Sequence, residues 1–238
     1  MTDLPPKPKR LWYQFSLRTL LVLLTVFCVW LGWTAHRVSK QQKAVRWVQE
    51  IGGTVNYDFQ LDEQGDFIKD AEPPGAHWLR ARIGMDWFAD VVKVELYGAQ
   101  VTDLSPLSNL PELRRLSLGK MPITDLSPFA NLKNLELLYL SDTPVSDLAP
   151  LVNLTNLELL FLDNTPVSDI TPLSHLTNLR LLSLYGTQVK DVTPIGELTS
   201  LKSLNFNAAR VSEEDYKTLQ QALPNCDIVW WPRADRPP

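Results

Sequence analysis

The chain is poor in the residues from which most reactive sites are built. Two cysteines, Cys28 and Cys226, cannot form a disulfide framework or a zinc site. Cys28 lies in an apolar run and Cys226 near the C-terminus, so the two are not expected to pair. The three histidines, His36, His77 and His175, are scattered without metal-ligand spacing. The sequence has no Gly-rich phosphate loop, nucleophile elbow, CxxC or HExxH. Residues 52–90 contain no recognisable catalytic pair. These absences argue against an enzyme, and no cofactor, metal or small-molecule substrate is expected.

What is present is unevenly distributed. Residues 1–50 carry eight Lys/Arg against Asp3 and Glu50, whereas residues 91–228 carry ten Lys/Arg against sixteen Asp/Glu. A basic start and an acidic body imply two parts in different surroundings, and the acidic body disfavours nucleic acid as a partner.

Residues 19–35, TLLVLLTVFCVWLGWTA, are free of charge. As a helix these 17 residues span about 26 Å, close to a hydrocarbon core of about 30 Å. Arg18 and Arg37 can snorkel outward at its ends, and Trp30 and Trp33 sit where an interface favours them. A cleaved signal peptide is the alternative, since Lys7, Lys9 and Arg10 precede the run. Its length and the lack of an A-x-A site favour an uncleaved transmembrane helix over 19–36, behind a basic tail of residues 1–18. Phe27 before Cys28 argues against a lipoprotein signal. Lys7, Lys9, Arg10 and Arg18 before the span balance Arg37, Lys40, Lys43 and Arg46 after it. The positive-inside rule is therefore tied. A short tail ahead of a long folded part is the arrangement of a signal anchor. That would make a single-pass membrane protein with its body on the extracytoplasmic side.

Residues 37–90 read as a juxtamembrane helix and capping region. Val38, Val45, Val48 and Ile51 recur at helical spacing until Gly52-Gly53 ends the pattern. TVNYDFQL alternates like a strand, DEQGD is a turn, and a short helix is expected around Trp78 and Leu79. Trp78, Trp87 and Phe88 are expected to cover the end of a larger core.

That core is built by repetition. Units begin at Val91, Leu113, Leu135, Leu157, Leu179 and Leu201, a constant period of 22 residues. Apolar residues fill the first, fourth and sixth places of each unit, and a β-branched residue the eleventh. An acid occupies the thirteenth, running Asp103, Asp125, Asp147, Asp169, Asp191 and Glu213; proline holds the sixteenth in five units and leucine the twentieth. Six in-phase copies mean a solenoid, in which units with one apolar face each stack into a continuous core. The L-x-x-L-x-L stretch reads as a strand lying parallel to its neighbour. The acid caps a short turn, and proline keeps that turn from becoming an α-helix. A carboxylate column could also suggest Ca²⁺, but capping accounts for every member. The sequon at Asn153 falls inside the repeat pattern.

The pattern L-x-x-L-x-L-x-x-T-x-V-x-D-L-x-P-L-x-x-L resembles bacterial leucine-rich repeats of the 22-residue, internalin-like type. Residues 11–72, with FSLRTLL and GGTVNYDF, more loosely resemble the start of bacterial membrane-anchored leucine-rich repeat proteins. The resemblance implies an α/β solenoid, with a parallel β-sheet on its concave face and short 3-10 turns on its convex face, preceded by one transmembrane helix. One departure concerns the ninth place, where the family often has an asparagine ladder. Here it reads Ala99, Met121, Thr143, Thr165, Thr187, Ala209, so the flanking units are expected to be less well satisfied. The sixth unit loses its proline. Its end reads as an amphipathic helix with Leu219, Ala222 and Leu223 inward, followed by a closing strand near 227–231 and a tail.

Outward positions of the strands are the third, fifth and seventh. At mid-array they place Leu137, Tyr139, Leu159, Phe161, Leu181 and Tyr185 on one surface. An exposed apolar patch with aromatic anchors marks an interaction site. The expected function is a membrane-anchored, non-enzymatic scaffold binding a protein or peptide on this face. The alternative is a structural envelope component that self-associates through its repeats.

Overall fold

In a computed structural model, residues 17–62, 68, 70–207 and 209–230 are described. The basic tail before residue 17, most of the DEQGD turn, Trp231 and the C-terminal tail fall outside them. The chain divides into two units, residues 1–37 and 38–238.

In the first unit, helix α1 (Leu17–Glu50, which continues into the second) exposes its apolar side chains and is long and apolar enough to cross a membrane. Thr25 and Thr34 return their hydroxyls to the carbonyls of Leu21 and Trp30, at 2.8 and 2.7 Å. Back-bonding of this kind lets a threonine sit in an apolar helix without an orphan donor.

In the second unit, the later turns of α1 become part of a core. Val38, Ala44, Val45 and Val48 are buried, as the helical spacing predicts. The turn at Gly52 (φ 80°) reverses the chain into β1 (Thr54–Tyr57), which pairs antiparallel with β2 (Val91–Glu95). Between these strands in the chain lies helix α2 (His77–Ile83); of the aromatics expected to cover the core end, Trp87 and Phe88 are half-buried but Trp78 is exposed. A buried polar cluster fastens α1 to this region. Gln41 donates to Asp86 Oδ1 at 3.0 Å and to the Ala89 carbonyl at 2.9 Å, while the Tyr57 hydroxyl reaches Asp86 Oδ1 at 3.3 Å. Burial, reinforced by the Asp86 charge, pushes the Tyr57 phenol well above its ordinary range.

From β2 the sheet grows one strand per unit: β3 (Arg115–Ser117), β4 (Leu137–Tyr139), β5 (Leu159–Phe161), β6 (Leu181–Ser183) and β7 (Ser203–Asn205). Each is parallel to the last with a register of 22, and β8 (Asp227–Val229) closes the sheet. A 3-10 turn with proline in its first two positions follows each of β2 to β6. Leucines of the first, fourth and twentieth places interlock between sheet and turns in a single apolar cluster.

The acid column caps these turns. Oδ1 of Asp103, Asp125, Asp147, Asp169 and Asp191 accepts the backbone N–H two residues on, at 2.8–2.9 Å. For Asp103 and Asp125 the backbone bond first, and for Asp169 and Asp191 the Thr hydroxyl first, holds the carboxyl below its usual range. A carboxyl with a depressed folded pKa adds stability that is present above its unfolded pKa and lost as pH falls through the folded one. The urea midpoint should therefore decline as pH drops below about 4, the usual carboxylate range. Replacing these four aspartates by asparagine keeps the acceptor and should flatten that decline. An equally steep decline in the Asn variant would show that the caps are not its source.

The ninth place makes no ladder between units. Thr143, Thr165 and Thr187 are buried, and each donates its hydroxyl at 2.7 Å to the carbonyl three residues back in its own unit. In the units with alanine only the backbone bond of this turn remains: Ala99 N–H meets the Leu96 carbonyl at 3.2 Å and Ala209 N–H that of Phe206 at 3.0 Å, a bond that Thr165 and Thr187 make as well. Met121 is buried as an apolar core residue. The alanine units thus lack the hydroxyl bond that the threonine units add, as the sequence leads one to expect. The ladder between units lies instead at the twenty-second place, where Asn134, Asn156 and Asn178 donate to the carbonyls of Pro111, Lys133 and Thr155 at 2.8–3.1 Å.

The C-terminal cap also departs in one residue. Helix α3 (Glu213–Ala222) starts at Ser212, whose Oγ accepts the Asp215 N–H at 3.1 Å. Leu219 and Leu223 are buried, but Ala222 is exposed. At 100° per residue Ala222 lies off the axis shared by 219 and 223, and Tyr216 takes the third inward place. Tyr216 packs on Phe206 and stacks against Trp230, with centroids 4.7 Å apart.

Candidate functional site

The strand face carries the surface on which a site could be built. Register alone makes two rows across the sheet. Leu137 pairs with Leu159 and Leu159 with Leu181, while Tyr139 pairs with Phe161. These five side chains are half-buried rather than fully exposed. The Tyr139 and Phe161 rings lie 5.5 Å apart at 41°, a tilted contact of the kind aromatic pairs prefer. Tyr185 is 42% exposed and stands at the margin, two residues beyond its strand.

The seventh place is not uniformly outward. Gly119 and Ser141 are buried, and Asp163 is half-buried. Gly119 is covered because the Tyr97 and Tyr139 rings converge on it: an added Cβ would lie 2.5 Å from Tyr139 Cε1 and 3.0 Å from Tyr97 Cε2. Lys120 lays its ammonium 5.4 Å above the Tyr97 ring, and that tyrosine is the main cause of its raised pKa. Asp163 ties three units together. It accepts from Ser141 Oγ at 3.2 Å, from the Tyr185 N–H at 3.1 Å, and from Ser183 Oγ.

A groove of about 200 Å³ opens on this face, lined by Lys93, Glu95, Arg115, Ser117, Leu137, Tyr139 and Phe161. Lys93 and Glu95 form an ion pair at 2.9 Å along its wall. The face therefore grades from charged at β2 and β3, through apolar at β4 to β6, to the neutral polar Ser203 and Asn205 on β7. Among the described residues no group of three or more His, Cys, Asp or Glu is placed to hold a metal ion.

Two features lay within reach of the sequence and were passed over. The eighth place reads Gly98, Lys120, Asp142, Asn164, Gly186, and all five have φ between 55° and 73°. Glycine, asparagine and aspartate are the residues that tolerate this left-handed region, so the column announces a turn. Each N–H there meets the carbonyl of the next unit's seventh residue at 2.7–3.0 Å, extending the ladder past the strand. Asp163 is the second feature, a single acid in a column that is otherwise small, polar or aromatic.

A family model described as "Leucine-rich repeat region" matches residues 90–227, more than half of the chain. The chain belongs to the leucine-rich repeat family. Its array is similar to an internalin C2 of Listeria monocytogenes, with 35% identity and a TM-score of 0.56 over 61% of this chain and 63% of that one. It is also similar to a leucine-rich repeat protein of Leptospira interrogans, at 26% identity and a TM-score of 0.54, over 58% of this chain and 36% of that one. The leucine-rich repeat chain thus spans less than two thirds of either solved relative. Comparison with curated proteins gives no match.

Proposed function

We propose that this leucine-rich repeat protein is a membrane-anchored, non-enzymatic scaffold that holds a protein or peptide segment across its strand face. The contact strip is Leu137, Leu159 and Leu181 with Tyr139 and Phe161, and Tyr185 bounds it at one side. The observation that carries the reading is the in-register apolar strip beside a groove, on a rigid sheet whose other face is wholly core. A segment laid across the strands would bury its apolar side chains on the leucine row and set one against the Tyr139–Phe161 pair. The exposed apolar length of α1 supports the anchor. The signal-anchor arrangement supports an extracytoplasmic body, and the acidic array favours protein over nucleic acid.

Hot-spot aromatics cost about 2 kcal/mol or more each when truncated, beyond tenfold in Kd. A photo-crosslinker at Tyr139 or Phe161, in native membranes, should yield a discrete adduct that the same group at His175 on the turn side does not. A competing Tyr139→Ala/Phe161→Ala copy of the whole chain should fail to displace it, whereas wild type displaces it. Equal adducts from both faces, or equal competition by the double variant, would remove this strip as the site.

A further inference from the structure

We infer that the strand-face strip takes a peptide segment whose apolar residues stand beside an arginine, and that Asp163 receives that arginine between Phe161 and Tyr185; this rests on the reading of the strip as the contact surface. The charge of the array and the surroundings of Asp163 point to the same occupant.

No Lys or Arg occurs from residue 134 through 179, the stretch that supplies β4 and β5, whereas six acids do: Glu136, Asp142, Asp147, Glu158, Asp163 and Asp169. Five of them have a partner or a task within the array. Glu136 and Glu158 reach across the units to Arg114 and Arg180 at 3.5 and 3.3 Å. Asp147 and Asp169 cap 3-10 turns on the far side of the coil. Asp142 accepts from Asn164 Nδ2 at 2.9 Å, and its charge acts on the Lys120 ammonium. Asp163 stands beside the strip, and none of the ion pairs among the described residues includes it.

That carboxylate is half-buried and meets two hydroxyls and a backbone N–H, from Ser141, Ser183 and Tyr185, but no cation. A carboxylate has about four acceptor sites, and Oδ2 takes a single bond, from Ser141. Oδ2 therefore keeps room for a donor brought by a partner. A charge already drawn partly out of water gains more from a counter-ion than an exposed one does.

The neighbours select arginine over lysine. Phe161 precedes Asp163 by two residues on the same outward face, about 7 Å away, and Tyr185 holds the equivalent place in the next unit, about 4.8 Å away. A guanidinium is planar, stacks on aromatic faces and forks onto a carboxylate, whereas an ammonium is a strongly hydrated point charge. A ring on either side of a carboxylate that lacks a cation fits the first. Apolar side chains preceding that arginine then fall on the leucine row and the Tyr139–Phe161 pair.

The test pans a phage-displayed library of random peptides on the full chain in lipid nanodiscs, after removal of phage that bind empty nanodiscs. The expected consensus is a cluster of apolar residues with an arginine beside it. The leading peptide and its Arg→Gln counterpart are then titrated against wild type and Asp163→Asn, which keeps an acceptor for the three local donors. On wild type, Arg→Gln should weaken binding about tenfold or more, the size expected of a hydrogen bond between charged groups. On Asp163→Asn the same change should cost little further, because both partners belong to one interaction. A second measurement needs no variant of the chain: added sodium chloride should weaken the parent peptide on wild type more than its Gln counterpart. An apolar consensus without arginine, an equal loss from Arg→Gln on both chains, or equal salt dependence of the two peptides overturns the inference and leaves the strip standing. Absence of an apolar consensus, or a leading peptide that binds Tyr139→Ala/Phe161→Ala as well as wild type, overturns both.

Discussion

Leu160→Ala is expected to destabilise the protein by about 2–5 kcal/mol, the range for a fully buried leucine whose surroundings cannot collapse. Leu160 is fully buried on β5, in register between Leu138 and Leu182. Its neighbours above and below are held by ladders on both sides, so the space left behind has little way to close. A loss of that size is a large share of the 5–15 kcal/mol that folded domains typically possess. Because units are stable only as neighbours, the damage should spread along the stack rather than stay in one turn. Urea unfolding of the detergent-solubilised chain, followed by far-UV circular dichroism, measures it. The adjacent Phe161→Ala, half-buried on the opposite face of the same strand, should cost clearly less. If the two variants lost equal stability, the division of this strand into a core face and a contact face would be wrong.

Gly53→Val should cost about 3 kcal/mol, the upper end of overpacking penalties. A Cβ there would lie 2.3 Å from Leu96 Cδ2, 2.8 Å from Val48 Cγ1 and 2.9 Å from the Glu95 carbonyl oxygen. The side chains could turn aside, but the carbonyl belongs to β2 and cannot. The added atoms must push α1 off the first strand of the array. Gly52→Ala makes the contrast: nothing lies within 4 Å of its Cβ, and only its φ of 80° opposes a side chain, at about 1–2 kcal/mol. Trypsin cleavage after Lys40 and Lys43 should accelerate in Gly53→Val and much less in Gly52→Ala. Unchanged cleavage and an unchanged urea midpoint in Gly53→Val would mean that α1 is not part of the folded cap.

Much of this architecture was legible because a period of 22 repeats its own proof. A column that returns at every unit reports burial as plainly as a contact map, and leucines at the first, fourth and twentieth places occupy the core. The acid column was legible for the same reason, since proline beside it leaves the turn one short form to adopt. What escaped was set by side-chain partners rather than by recurrence. The asparagines at 134, 156 and 178 recur only three times, and their acceptors are carbonyls that no letter names. Asp163 occurs once, yet it gathers donors from the units on both sides. The outward direction of Ala222 follows from an angle on a helix whose start had to be known first. Trp78 was read as a cover because a tryptophan near a core end usually is one, and lone residues offer no repetition to correct that.

The constant register has a consequence for how such a surface can change. Each unit enters and leaves the stack at the same height, and the bonds between neighbouring repeats join positions 20 to 23 residues apart. Excising 22 residues between two equivalent points would heal the seam with the backbone ladder and the leucine columns intact. A cut of 21 or 23 would leave one unit of the wrong length, whose strand must either turn a polar face to the core or bulge. The recognition surface can therefore lengthen or shorten only in whole strands, about 4.8 Å at a time, and its reach is counted in steps rather than tuned continuously.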